Sequence, residues 1–229
     1  DQRMDNLDAL LYYLVIRKIR GKKYDIKSIL KHNPYAIQDA NFNSILVRAN
    51  SCLVRIAEVT GTNLPTSLLQ NISNTQKALD ILWDETAKQY YSKNYYTKKL
   101  IRVPSIATLL PLYAGTISTK KAKHLVDMLK NSNFFGAEYP VPSVPLNSKD
   151  FNSMRYWQGP TWVNTNWLII KGLQRYGYND EANIIRQKTI DLVDKHGCYE
   201  YYSAIDGLPA GAPNFSWTAS LVLDLILDS

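Results

Sequence analysis

The chain has 229 residues, 45 % hydrophobic and 21 % charged, with a net charge of +7. That length suits one domain or two, with a sizeable core, and the basic residues lie in short clusters such as RKIRGKK (17–23) and TKK (119–121), which fit a solvated face and not a nucleic-acid stripe. No apolar run reaches the roughly 18 residues that span a bilayer, and two cysteines do not make a disulfide scaffold.

The three histidines (His32, His124, His196) are isolated, and no C-x-x-C or H-E-x-x-H spacing occurs, so no dedicated metal site is expected. No signal peptide opens the chain, which favours the cytoplasm. Sixteen tyrosines are an excess that fits either a binding surface or compositional drift.

The dominant period is helical. In 5–20 the set Leu7, Leu10, Leu11, Leu14 follows i, i+3, i+4, i+7. Over 39–60 the set Phe42, Ile45, Leu46, Ala49, Leu53, Ile56 predicts a buried stripe, with Cys52 on it as a core residue. A helix over 65–87 carries Leu68, Ile72, Thr75, Leu79, Leu82, with Pro65 in its first turn. The Tyr-rich run 89–103 alternates loosely and suits a short hairpin. Helices are expected at 105–114 and 118–131. The three prolines of YPVPSVPLNSKDF (139–151) demand an irregular connection, and a loop of that length is more often functional than idle.

Further helices are expected at 160–176, 180–195 and 216–228. Gly159-Pro160 suits the start of the first, placing Asn164, Trp167 and Lys171 on one face. Asn179 is the expected cap of the second, with Asp180 and Glu181 at its positive end, Lys195 and His196 at its negative end, and Gly197 as its stop. Ser216 is the expected cap of the last. Helical hairpins of this kind fit bundles, solenoids and α/α toroids.

Two stretches carry chemistry. RYWQGPTWVNTNWLIIKGLQRYGY (155–178) packs Trp157, Trp162 and Trp167 beside Asn164 and Asn166. A sugar site needs flat rings for the C–H faces of a pyranose and amides for its hydroxyls. Against this stands the reading that Trp162 and Trp167 are simply core. In HGCYEYYSAIDGLPAGAPNFSWT (196–218), Glu200 lies past the helix end between Tyr199 and Tyr201. It is a candidate general base, or a surface carboxylate after a helix. Sequons at Asn71 and Asn214 are read as accidental, the second because a glycan would block the site-forming loop.

These stretches, with EYPVPSVPLNS, IRVPSIATLLPLYAG (101–115), LWDETAKQYYS (82–92) and FNSILVRAN (42–50), together resemble glycoside hydrolase family 63, in its mannosylglycerate and glucosylglycerate hydrolase group. Family 37 trehalases resemble the chain more distantly. The resemblance covers nearly the whole chain. It implies a mainly α fold, an (α/α)6 toroid, and an inverting hydrolase of α-glycosidic bonds in small glucosides or mannosides, needing no cofactor or metal. It implies Glu200 as general base and Tyr156, Trp157, Gln158, Gly159, Trp162, Tyr199 and Trp217 as sugar-facing or site-bracing residues. The family usually has Arg where this chain has Gln158, which keeps hydrogen bonding and loses a fixed charge. Its general acid, an Asp in an SGxDNSP-like motif, has no counterpart here, and Asp39 and Asp84 are the carboxylates available instead. Residues 1–229 are therefore expected to be the C-terminal portion of one catalytic domain, with the acid on a partner chain or a preceding segment. The alternatives are a non-catalytic sugar-binding or subunit module and a plain helical scaffold.

Overall fold

Helices account for most of the computed structural model, which describes residues 6–31, 33 and 35–227. The expected helix ends at 5 and 228, and His32, lie outside the described residues. In chain order come α1 (Asn6–Gly21), α2 (Ile26–Lys31), β1 (Ile37–Gln38), α3 (Ala40–Thr60) and α4 (Thr66–Ala78). Then follow β2 (Trp83–Asp84), β3 (Gln89–Tyr90), β4 (Lys93–Asn94), α5 (Pro111–Ala114) and α6 (Thr119–Lys130). The last are α7 (Val163–Arg175), α8 (Asn179–His196), β5 (Tyr199–Tyr202), β6 (Pro209–Pro213) and α9 (Ser216–Leu227).

Helix α7 is the centre of the packing. Its residues Val163, Thr165, Asn166, Ile169, Ile170, Gly172 and Leu173 are buried, and it touches α5, α8 and α9. At Gly172 a Cβ would lie 2.7 Å from the Tyr113 nitrogen, so α5 crosses here only because the position has no side chain. Asn166 fastens the proline-rich connection to this core. Its amide donates to Pro140 O (2.9 Å) and Thr189 Oγ1 (2.9 Å), and its oxygen accepts from Val141 N (2.9 Å). Asn166→Ala leaves the buried Val141 N–H without that acceptor, and is expected to cost about 2–4 kcal/mol in urea unfolding. A loss under about 1 kcal/mol would show that the connection holds without it.

Several elements depart from the sequence expectation. The helix expected over 65–87 ends at Ala78, and a 3₁₀ turn (Leu79–Leu82) leads into β2. The hairpin at 89–103 is partial: Lys93 bridges Leu100, while β3 pairs with β2 and β4 with β1. The helix at 105–114 is a 3₁₀ turn (Ile106–Thr108) followed by the single turn of α5. Asn179 lies inside α8, whose N-cap is Tyr178 without a side-chain bond, whereas Gly197 stops that helix at φ 83° as expected.

The largest correction concerns α3. Its buried residues are Ala40, Ser44, Val47 and Ala57. The apolar stripe expected to be core is the exposed one: Phe42, Ile45, Leu46, Leu53 and Ile56 all face outward, and Cys52 is half-buried. Helix α1 likewise buries none of its residues, and Leu7, Leu10, Leu11 and Leu14 are exposed. Helix α9 exposes Trp217, Leu223 and Ile226. Small residues on α3 meet α5, and the larger apolar residues form an uncovered face. No described helix is long and apolar enough to cross a membrane.

Candidate active site

Glu200 sits on a strand, not on the surface after a helix. The pair β5–β6 is antiparallel, with Tyr199 opposite Pro213 and Tyr201 opposite Ala210. Between those pairs, Gly211 and Ala212 face the single residue Glu200, which is a β-bulge. The surface-carboxylate reading is therefore overturned, because Glu200 is only 6 % exposed. Its Oε2 accepts a hydrogen bond from the Ala212 backbone N–H at 3.1 Å. Phe215 N donates to Cys198 O (2.8 Å) and Thr218 Oγ1 to Tyr199 O (2.7 Å), so the start of α9 is tied to β5.

An aromatic stack begins next to Glu200. The rings of Tyr201 and Trp162 stack at 4.8 Å, and those of Trp162 and Trp157 at 3.8 Å, tilted by only 2°. Tyr156 meets all three edge-on, at 5.2–6.0 Å. It holds a φ of 40°, unusual for a bulky residue, while its carbonyl accepts from the Trp162 indole N–H at 3.1 Å. Trp162 is 2 % exposed, and Trp157 is the outer member of the stack.

Trp157 lines a cavity of about 590 Å³, together with Asn164, Trp167 and Leu168 of α7, Trp217 and Leu221 of α9, and Asn41 and Ile45 of α3. Ser105, Ser143 and Asp39 also line it. Three helices thus bring their N-terminal turns to one opening. Trp167 is fixed by its indole N–H to Asp224 Oδ2 at 2.6 Å, with Lys171 3.5 Å from the same oxygen. That indole hydrogen bond, then Lys171, hold the Asp224 carboxyl below its ordinary range.

The residues singled out in the sequence therefore separate. Trp157 and Trp217 line the cavity, and so do Asn164 and Trp167. Trp162 is a buried brace behind Trp157. Tyr199 packs in a small cluster with Leu192 and Tyr202. Gln158 acts here through its backbone, bonded to Arg155 O and Asn152 N at 2.7 Å each. Gly159 is buried against Asn152, where a Cβ would collide with the backbone, and its N–H donates to Ser143 Oγ (2.9 Å). The helix starts at Val163, not at Pro160, because Thr161 is drawn into bridges with Pro142 and Tyr202. Sequence reasoning missed Asn41, Ile45, Ser105, Ser143 and Leu221. The i, i+4 pairs Asn41–Ile45 and Trp217–Leu221 were the available signal.

Neither alternative carboxylate suits an acid. Asp39 caps α3: its oxygens accept from Phe42 N (2.7 Å) and Ser92 Oγ (3.0 Å). Asp84 accepts from Arg102 Nε (2.7 Å), Thr86 N and Ala87 N. The Arg102 guanidinium, then the Ala87 N–H, lower its pKa, the opposite of what a proton donor near neutrality needs. Because the folded-state value is depressed, the stabilisation from Asp84 is complete above the unfolded value of about 4 and is lost as pH falls through the folded value. Asp84→Asn is therefore expected to flatten the fall in stability below about pH 4, read by thermal unfolding between pH 2 and 6. An acid limb identical to that of the parent chain would remove Asp84 from the balance.

The sequence and the fold that build this arrangement, a buried carboxylate beside a stack of rings that opens on a cavity, are similar to those of known proteins. Residues 3–218 match the model of the mannosylglycerate hydrolase MGH1-like glycoside hydrolase domain. The chain belongs to that family. Among MGH1-like relatives, the mannosylglycerate hydrolase of Rubrobacter radiotolerans is 33 % identical over 218 residues, which are 93 % of this chain and 49 % of the relative. The mannosylglycerate hydrolase MGH1 of Selaginella moellendorffii is 32 % identical over 213 residues, 93 % of this chain and 43 % of the relative.

The crystal structure of the GH63 mannosylglycerate hydrolase of Thermus thermophilus in complex with glucose superposes at TM-score 0.91 with 31 % identity, covering all of this chain and 54 % of that one. The same hydrolase has been solved with Tris and D-glycerate. Neutral trehalase of Saccharomyces cerevisiae shares the fold, at TM-score 0.66 and 18 % identity over 85 % of this chain. The described helices are thus part of the (α/α)6 toroid of the GH63 enzymes. The chain spans about half the length of the curated relatives it matches.

Proposed function

We propose that this chain is the portion of an inverting MGH1-like glycoside hydrolase that supplies the general base and one wall of the site for a small α-mannoside or α-glucoside. The observation that carries the reading is Glu200: a buried carboxylate fixed by a backbone N–H, next to a ring stack whose outer member lines a cavity of about 590 Å³. The names of the relatives and the glucose and D-glycerate complexes of the Thermus hydrolase support the substrate class.

In this reading Glu200 takes a proton from water, the water oxygen bonds to the anomeric carbon, and the glycosidic C–O bond breaks. An Asp from outside the chain protonates the leaving oxygen, at a carboxyl separation of about 6.5–9.5 Å that leaves room for the water. Trp157, Trp167 and Trp217 offer faces to the pyranose, and Asn164 an amide to its hydroxyls. Residues 1–229 act as one domain portion, and a helical complement, in the same polypeptide or in a partner, covers the outward faces of α1, α3 and α9. Arg48 and Arg175 suit acidic side chains on that complement. They continue the α3 and α7 stripes down from the cavity wall, and no described carboxylate pairs with either.

The test is sugar release from a panel of α-mannosides and α-glucosides, mannosylglycerate and glucosylglycerate included, with the anomer of the first product read by ¹H NMR. The expected first product is the β-anomer. An α-anomer sinks inversion. No release by this chain together with its helical complement sinks hydrolysis and favours a sugar-binding module. That second reading draws on the engagement of Asp39 and Asp84 in structural bonds, and sugar titration followed by tryptophan fluorescence tests it directly.

A further inference from the structure

We infer that the Gly211–Ala212 bulge is the positioning device for the Glu200 carboxylate; the inference rests on the reading of Glu200 as general base and names what sets its geometry. Two observations converge. Gly211 has φ 76°, in the left-handed region, where glycine carries no steric penalty, and a glycine there at the first bulge position turns the next N–H out of the ladder. That next N–H belongs to Ala212 and reaches Glu200 Oε2 at 3.1 Å.

The second observation is space. A Cβ built on Gly211 would lie 2.7 Å from both Cβ and Oε2 of Glu200, and 2.8 Å from Cε1 of Tyr201. Any side chain at 211 would therefore collide with the Glu200 side chain and with the innermost ring of the stack, and glycine leaves that space to them. One oxygen is tied to the Ala212 N–H and the missing side chain at Gly211 leaves Glu200 the room to reach it, so the bulge favours one orientation of the carboxylate. Such orientation matters because a displacement of about 1 Å at a reacting group can cost a hundredfold in rate. Gly211 and Ala212 are positioning residues: they act through Glu200.

The experiment uses Gly211→Ala and, where that variant fails to fold, an amide-to-ester replacement at Ala212 (lactic acid incorporated in its place), which deletes only the N–H donor. The first readout is the ¹³C resonance of the Glu200 carboxyl at constant pH, assigned by its disappearance in Glu200→Gln. The second is kcat and KM of the full-length protein. The expected result is a displaced Glu200 resonance, with kcat lowered roughly 10–100-fold and KM within about threefold. A folded variant whose Glu200 resonance and kcat match the parent overturns the positioning role. Failure of the underlying reading looks different: Glu200→Gln then retains turnover, whatever the bulge variants do to the resonance.

Discussion

Glu200→Gln is expected to lower the rate of glycoside hydrolysis by the full-length protein by about 10²–10⁴-fold, with KM changed little. The substitution is close to isosteric, and the amide oxygen can still accept the Ala212 N–H that Oε2 accepts now at 3.1 Å. What it removes, in the proposed reading, is the site that takes a proton from the attacking water. In the same reading the sugar is bound elsewhere, on the cavity-lining Trp157, Trp167 and Trp217, so the loss should fall on kcat. Glu200→Asp keeps the charge and withdraws it by one methylene, away from the bulge. It is expected to be slow as well, since position and proton affinity are both required. Steady-state kinetics on the three forms decide the point. Turnover within threefold of the parent for Glu200→Gln removes the base assignment.

Much of this site was legible in the sequence, but not its depth. The ring-and-amide composition of 155–178 pointed to a stretch that lines the cavity through Trp157, Asn164 and Trp167, whereas Trp162 and Asn166 meet packing demands. Within it, Trp157 and Trp162 were both expected to be sugar-facing or site-bracing, with a core alternative for Trp162, and the structure makes Trp162 a buried brace and Trp157 cavity wall. Periodicity cannot make that distinction, because both precede α7 in irregular chain. Glu200 was located but read against a surface alternative, since strand β5 is four residues long and its partner contains two prolines and a glycine, a composition that reads as loop.

The α3 stripe failed for a different reason. Amphipathic periodicity reports which face is apolar, not whether its partner lies in the same stretch of chain. Phe42, Ile45, Leu53 and Ile56 form a core-like pattern whose cover is not among the described residues, while Ala40, Ser44, Val47 and Ala57 pack inward because small residues permit close helix approach. The exposed stripe and the coverage of 54 % of the Thermus hydrolase are two views of one fact: this chain carries part of a larger toroid.

Trp162→Ala is expected to be among the most destabilising single substitutions in this chain, costing about 3–5 kcal/mol. The side chain is 2 % exposed and lies between two rings, Trp157 on one face and Tyr201 on the other. Its removal leaves a cavity, two unpartnered ring faces worth roughly 1 kcal/mol each, and a Tyr156 carbonyl without its indole donor. Trp162→Phe restores a ring and omits the N–H, and should cost about 1–2 kcal/mol. Trp157→Ala should behave in the opposite way. That residue is 36 % exposed, so truncation costs less, about 2–3 kcal/mol of stability, but strips a ring from the cavity wall and is expected to weaken sugar binding. Urea unfolding followed by far-UV circular dichroism, paired with sugar titration, separates the two. If Trp162→Ala unfolds at the parent midpoint, the stack is ornamental and Glu200 is held by its own ribbon alone. If it unfolds earlier than Trp157→Ala, and Trp157→Ala weakens sugar binding, the stack is the wall that carries sugar contacts at one end and braces the Glu200 strand at the other.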